Sequence, residues 1–124
     1  MDHTAWRPVA EKLFDDIRAL SFDGIGITRD SYGDKENACA DALRDFARQH
    51  GLEVSTDRAA NLLFNLPGLA PDAPRLWCGS HMDSVPQGGN FDGLAGIIAG
   101  LLCLAEQQRS GQPAPLPLQV IATR

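Results

Sequence analysis

The stretch RLWCGSHMDSVPQGGNFDGLAGIIAGLL, residues 75–102, decides the fold. Its apolar start, residues 75–79, predicts a buried strand, although periodicity alone does not separate such a run from a piece of helix. A glycine-rich loop follows, and apolar residues then recur around most of a helical circumference, which predicts a helix packed on a sheet. The second apolar run, LQVIAT at 118–123, completes the order strand, loop, helix, strand. This order is typical of a βαβ unit, with a parallel strand pair and a right-handed crossover.

The residues before this unit predict further helices and strands. Apolar residues recur at three- and four-residue steps over residues 6–20 and again over 34–50, where acidic residues occupy the first turn. Residues 52–56 alternate apolar and polar, and residues 61–66 lead into a Pro-Gly turn, so both segments predict strands. The fold class is therefore α/β. Since the strand at 118–123 ends one residue before Arg124, we expect this chain to be the front part of a longer domain.

Composition excludes several classes of function. The 124 residues suit one domain and carry a net charge of -5, and Lys and Arg do not cluster, so nucleic acid is not an expected partner. No apolar stretch reaches the ~20 residues that span a bilayer, and the N-terminus lacks the features of a signal peptide, so the expected location is the cytoplasm, away from membranes. The three cysteines have no CxxC spacing. We expect all of them to be buried apolar residues.

The loop after the first strand of the βαβ unit collects a histidine and two aspartates. In open α/β sheets, ligands bind where such a loop leaves the carboxyl end of a strand. His81 could donate a nitrogen lone pair to a metal, with Asp83 fixing its tautomer from the other side. Asp92 opens the next helix, where free N–H groups would hold a carboxylate ionised. The combination favours a metal site with His81 and Asp92 as ligands.

Three other interpretations remain open for the same residues. Asp92 followed by Gly93 is typical of an ordinary helix cap. The Gly88-Gly89 pair is compatible with a simple turn, and as a phosphate cradle it lacks both the P-loop Lys and the GxGxxG spacing. The loop could also bind an anion at the helix N-terminus.

At this point the sequence resembles a known family. GSHMDSVPQGGNFDGLAGIIAGL, from residue 79, resembles the metal-binding segment of the M20-type, zinc-dependent amidohydrolases. The resemblance is to the branch that contains the N-carbamoyl-L-amino acid hydrolases, β-ureidopropionases and allantoate amidohydrolases. The spacing indicates this branch, because only eight residues separate Asp83 from Asp92. GITRDSYG at 26–33 and DRAANLLFNLPG at 57–68 resemble the same branch.

The resemblance implies a role for each residue of the site. His81 would bind one of two divalent metal ions, Zn²⁺ foremost with Mn²⁺ or Co²⁺ as alternatives, and Asp92 would bridge both. Asp83 would be the catalytic residue that orients His81. The general base would be a glutamate beyond Arg124. The fold implied is the N-terminal part of a three-layer αβα metallohydrolase catalytic domain with a partly parallel sheet.

Two hypotheses about function, from different classes of protein, are therefore kept. In the first, residues 1–124 are an incomplete catalytic domain, without the lid and dimerisation domain, of an enzyme that hydrolyses linear C–N bonds in N-carbamoyl or ureido acids. The full-length enzyme would be a homodimer acting on a small-molecule substrate, and the chain alone would be inactive. In the second, the chain is a non-catalytic truncated module that binds metal weakly or not at all.

Overall fold

The computed structural model describes residues 3–112 and 114–124 of the chain. Three helices, α1 (His3–Ser21), α2 (Asp34–Gln49) and α3 (Leu94–Ser110), are combined with four strands. The strands are β1 (Glu53–Thr56), β2 (Leu62–Asn65), β3 (Leu76–His81) and β4 (Leu118–Thr123). All the predicted elements are present, and the α/β fold class is confirmed.

The four strands form one sheet in the order β1-β2-β4-β3. β3 and β4 are parallel, as the βαβ order predicts, whereas β1 pairs with β2 and β2 pairs with β4 in antiparallel register. The sheet is therefore partly parallel. β3 is longer than predicted, because its pairing with β4 continues to the pair His81↔Thr123. His81 is thus the last residue of a strand and is held by the sheet.

The helices cover one face of the sheet. Phe64 is paired with Val120 and Leu62 with Ala122, so these side chains share a face, and all four are fully buried. They belong to a single core cluster with buried residues of α1, α2 and α3. The opposite face carries Trp77, which is 52% exposed. The described residues therefore build two of the three layers expected.

The expectation for the cysteines is wrong in part. Cys39 on α2 is buried, Cys78 on β3 is half-buried, and Cys103 on α3 is exposed. Helix α3 is apolar around most of its circumference, but packing on the sheet and on α1 covers only part of it, and Cys103 lies outside that part. None of the helices in the described ranges combines the length and the apolar character that crossing a bilayer requires.

Candidate metal centre

The three residues singled out in the sequence lie together at the carboxyl end of β3. His81 Nδ1 is 2.9 Å from Asp83 Oδ1 and 3.1 Å from the backbone carbonyl oxygen of Asp83. On the other side of the ring, His81 Nε2 is 3.6 Å from Asp92 Oδ1. The side chains of His81, Asp83 and Asp92 are 41%, 36% and 57% exposed. The cluster is therefore open to solvent and to small ligands.

The contacts of His81 determine which ring nitrogen carries the proton. Both oxygens near Nδ1 can only accept a hydrogen bond, so the neutral ring donates its proton from Nδ1 to Asp83. Nε2 is then left with its lone pair, and this lone pair is on the side of Asp92. A histidine that binds a metal is commonly held in this way by a carboxylate on its other nitrogen.

The spacing of Nε2 and Asp92 fits two ligands of one divalent ion. Ligands that each lie about 2.0–2.2 Å from a tetrahedral zinc are about 3.4 Å apart. The observed separation of 3.6 Å is close to this value and too long for a good hydrogen bond. A nitrogen lone pair and a carboxylate oxygen that face each other at this distance are a suitable donor pair for a cation.

Asp92 does not cap helix α3, in contrast to one of the interpretations left open by the sequence. The N-cap residue is Gly93, with φ 68°, and no side chain caps the helix. The backbone N–H of Leu94 donates to the carbonyl oxygen of Asp92 at 2.7 Å. The turn at Gly93 leaves the Asp92 carboxylate directed at His81 instead of at the helix N–H groups.

Gly93 lies directly against the imidazole, a contact that sequence reasoning missed. A Cβ atom added at this position would lie 2.6 Å from His81 Cε1 and 2.7 Å from His81 Nδ1. A side chain at this position would force the imidazole or the backbone of His81 to shift. The only signal in the sequence is the Asp-Gly pair at the start of the helix, which is also compatible with an ordinary helix cap.

Sequence reasoning also did not predict the buried contacts beneath the loop. Arg29 is only 1% exposed and its guanidinium contacts the carbonyl oxygen of Met82, between His81 and Asp83. Ser84 is likewise buried and bonded to the backbone of Arg29. The segment GITRDSYG resembles the same branch of the family, but its hydrophobic residues show no helix or strand periodicity. Its contact with the loop could therefore not be predicted.

The cluster offers fewer donors than a complete metal site requires. Among residues 3–112 and 114–124, no group of three His, Cys, Asp or Glu side chains could hold a metal ion. Asp83 is already engaged with Nδ1, which leaves His81 and Asp92 as donors. Catalytic zinc sites usually have three protein ligands, so at least one more would have to come from elsewhere.

Comparison with known proteins gives a consistent group of relatives, although no family model matches the chain. The chain is 37% identical over 97 residues to the N-carbamoyl-L-amino acid amidohydrolase of Geobacillus stearothermophilus, covering 78% of the chain and 24% of the relative. It is 32% identical over 122 residues to the same enzyme of Paenarthrobacter aurescens, covering 96% and 30%. It is 30% identical over 115 residues to a ureidoglycolate hydrolase of Arabidopsis thaliana, covering 92% and 24%.

Solved structures agree with these relatives. The structure of AtUAH in complex with glyoxylate superposes with a TM-score of 0.82 at 27% identity, over 93% of the chain and 27% of AtUAH. A hydantoinase/carbamoylase family amidase from Burkholderia ambifaria superposes with a TM-score of 0.75 at 27% identity, over 91% and 29%. The chain spans 24% to 30% of the length of the sequence relatives named above. The chain therefore belongs, by sequence and fold, to the hydantoinase/carbamoylase family, and it matches the N-terminal part of relatives named N-carbamoyl-L-amino acid amidohydrolase and ureidoglycolate hydrolase.

Proposed function

We propose that the chain is the N-terminal part of the catalytic domain of a metal-dependent hydrolase that cleaves linear C–N bonds in N-carbamoyl-L-amino acids or related ureido acids. The observation that carries this proposal is the arrangement of His81, whose Nδ1 is held by Asp83 while its Nε2 faces Asp92 at 3.6 Å. The names of the relatives support the substrate class, since they include N-carbamoyl amino acid and ureidoglycolate hydrolases. The substrate would be a small molecule in the cytoplasm.

The residues of the cluster would have distinct tasks. His81 and Asp92 would hold divalent cations, with Asp92 shared between two of them. A bound cation of this kind lowers the pKa of a water molecule and polarises a carbonyl group. Asp83 would keep the imidazole in the tautomer that leaves Nε2 free of a proton. Zn²⁺ is the first choice, and histidine with carboxylate also suits Mn²⁺ or Co²⁺.

The remaining parts of the reaction would lie outside residues 1–124. Hydrolysis of an amide needs a carboxylate to take the proton of the attacking water and donors for the developing oxyanion. We place the general base and the further metal ligands beyond Arg124, together with a lid domain through which the full-length enzyme would form a homodimer. On this basis we expect residues 1–124 alone to have no hydrolase activity.

Metal titration of the purified chain tests the site. We expect Zn²⁺ to shift the NMR resonances of His81 and Asp92, and we expect His81→Ala or Asp92→Ala to remove this response. His50→Gln is the matched control, because His50 lies between the rings of Phe46 and Trp6 at centroid distances of 4.3 and 5.5 Å, away from the loop. A zinc response that survives Asp92→Ala would contradict the assignment of Asp92.

An activity assay tests the incompleteness of the chain. The purified chain, supplied in turn with Zn²⁺, Mn²⁺ and Co²⁺, should release no ammonia from N-carbamoyl-L-amino acids, ureidoglycolate or allantoate. Turnover by this chain that a chelator abolishes would show that no further ligand or base is needed.

The alternative, a non-catalytic truncated module, is favoured by one observation. Two donors are fewer than a catalytic metal site requires, and the described residues hold no group of three. The coding sequence downstream of Arg124 distinguishes the two functions. A pair of glutamate codons within a few positions supports the hydrolase, and a stop codon supports the module.

A further inference from the structure

Arg29 is a buried cation whose guanidinium is hydrogen-bonded to neutral oxygen atoms. It is 1% exposed, and within the ranges that the structure describes no Asp or Glu oxygen lies within ion-pair distance of its guanidinium. Removing a charged group from water is unfavourable unless its N–H groups are well bonded. The role of Arg29 should therefore follow from the neutral oxygen atoms to which it donates hydrogen bonds.

These contacts lead to the candidate metal centre. Arg29 Nε donates to the carbonyl oxygen of Met82, and Arg29 Nη1 donates to Ser21 Oγ at 2.9 Å. Met82 lies between His81 and Asp83 in the chain, and its N–H donates to the carbonyl oxygen of Thr123 at 2.7 Å. The peptide group that follows Met82 is thus held by the guanidinium, and the one that precedes it is held by β4.

A second set of hydrogen bonds ties the same two segments together. The N–H of Arg29 donates to Ser84 Oγ at 2.9 Å, and the N–H of Ser84 donates to the carbonyl oxygen of Arg29, also at 2.9 Å. Ser84 Oγ donates in turn to the carbonyl oxygen of Ile27 at 3.1 Å. Asp83 is therefore flanked on both sides by residues bonded to the segment that carries Arg29.

Fixing the Met82 carbonyl has a direct effect on Asp83. The peptide plane that contains this carbonyl also contains the nitrogen of Asp83, and peptide groups are rigid. Rotation of that plane would carry the Asp83 carboxylate away from His81 Nδ1, which now lies 2.9 Å from Oδ1. The imidazole would then lose the nearer and charged one of the two acceptors that keep the proton on Nδ1.

We propose that Arg29 is a positioning residue, which holds Asp83 against His81 by binding the carbonyl oxygen of Met82; this role rests on the proposed function of that cluster. An arginine suits the position because its planar group reaches the Met82 carbonyl and the Ser21 hydroxyl at once, with separate nitrogens in a fixed geometry. A lysine at the same position would keep the charge but replace the fork by a single flexible ammonium group.

The ring nitrogens of His81 provide the test. ¹⁵N NMR of the metal-free chain, recorded with a chelator and above the titration range of histidine, shows which nitrogen carries the proton. We expect an unprotonated Nε2 in the wild type, and in Arg29→Lys a shift of the Nε2 resonance toward the protonated range. Arg75→Lys is the matched control, since Arg75 also donates to loop carbonyls, those of Ala73 at 3.0 Å and Ala70 at 2.7 Å, away from the cluster. It should leave His81 unchanged.

A reference variant separates failure of this inference from failure of the proposed function. Asp83→Ala removes the carboxylate itself and should shift the Nε2 resonance at least as far as Arg29→Lys. No shift in Asp83→Ala would overturn the role of Asp83 in the proposed function. A shift in Asp83→Ala with none in a folded Arg29→Lys, or an equal shift in Arg75→Lys, would overturn the role of Arg29 alone.

If Arg29→Lys does not fold, NMR of the Arg29 side chain in the wild-type chain tests the proposal. We expect the Nε proton of Arg29 to exchange slowly with water and to show scalar coupling across its hydrogen bond to the Met82 carbonyl carbon. A rapidly exchanging proton without that coupling would overturn the proposal.

Discussion

The imidazole of His81 has neighbouring residues on three sides, and only some of them could be predicted from the sequence. Asp83 is two residues away in the chain and Asp92 is eleven residues away, and both were selected from the sequence. Gly93 was not, although a Cβ atom there would lie 2.7 Å from His81 Nδ1. The polar residues of the cluster could be selected from the sequence, because their types and spacing are those that metal binding requires. The space around the ring could not, because it depends on how α3 approaches β3.

Gly93→Ala should therefore disturb the cluster more than an ordinary glycine substitution. Gly93 and Gly111 both have positive φ, 68° and 65°, but ψ is -54° at Gly93 and 11° at Gly111, where a Cβ would meet no atom within 4 Å. The left-handed conformation costs a non-glycine residue about 1–2 kcal/mol. We expect Gly111→Ala to lower the free energy of unfolding by about this amount, and Gly93→Ala by clearly more, as measured by urea denaturation. Equal losses for the two variants would contradict the contact between Gly93 and His81.

The segment between α1 and α2 is more ordered than its glycine-rich sequence indicates. The glycines of this segment indicate a loop, yet Ile27 forms isolated β-bridges with Phe22 and with Gly88 of the site loop. Asp23 stabilises its turn by accepting from the N–H groups of Ile25 and Gly26 and from the hydroxyl of Thr28. Thr28 Oγ1 also accepts from the N–H of Gln87 at 2.9 Å. This segment supports the site loop through contacts that no periodic pattern predicts.

The stability of this turn should depend on pH through Asp23. Hydrogen bonds from Gly26 N–H first, then from Thr28 and Ile25, lower the pKa of the Asp23 carboxyl to about 2. A carboxyl group whose pKa is lower in the folded than in the unfolded state stabilises the fold above its unfolded pKa, about 3.9. That contribution is lost as the pH falls toward about 2. The difference in free energy of unfolding between wild type and Asp23→Asn should be constant near neutrality and shrink across this range.

Urea denaturation at several pH values measures this difference. Asp72→Asn serves as the control, because Asp72 is exposed and lies in the linker before β3. The change with pH should be larger for Asp23→Asn than for Asp72→Asn. A difference for Asp23→Asn that does not vary with pH would contradict the role of the Asp23 hydrogen bonds.

In the described part of the chain the three helices pack on one face of the sheet, and Trp77 lies exposed on the other. β3 is at the edge of the sheet, and its residues Leu76 and Trp77 are 59% and 52% exposed. An edge strand presents unpaired N–H and C=O groups, and exposed apolar side chains beside it favour association. The cluster of His81, Asp83 and Asp92 lies at the carboxyl end of this same strand.

The isolated chain is accordingly expected to self-associate through this edge and face. Sedimentation velocity should show a weight-average mass that rises with concentration, and Trp77→Lys should lower it by adding a charge to the apolar surface. Ile25→Lys is the matched control, because Ile25 is 75% exposed but lies in the loop between α1 and α2. A monomer at all concentrations, or an equal effect of the two substitutions, would contradict this expectation.

The sequence by itself determined the type and order of the elements, the parallel pairing of β3 with β4, and the three polar side chains of the cluster. These follow from periodicity and from spacing within one loop, which are local properties of the chain. Only the tertiary structure decided that β4 lies between β2 and β3, that Arg29 is buried under the loop, that Gly93 contacts His81 and that Cys103 is exposed. Each of these depends on which surfaces of distant segments meet, and local patterns of hydrophobicity carry no information about that choice.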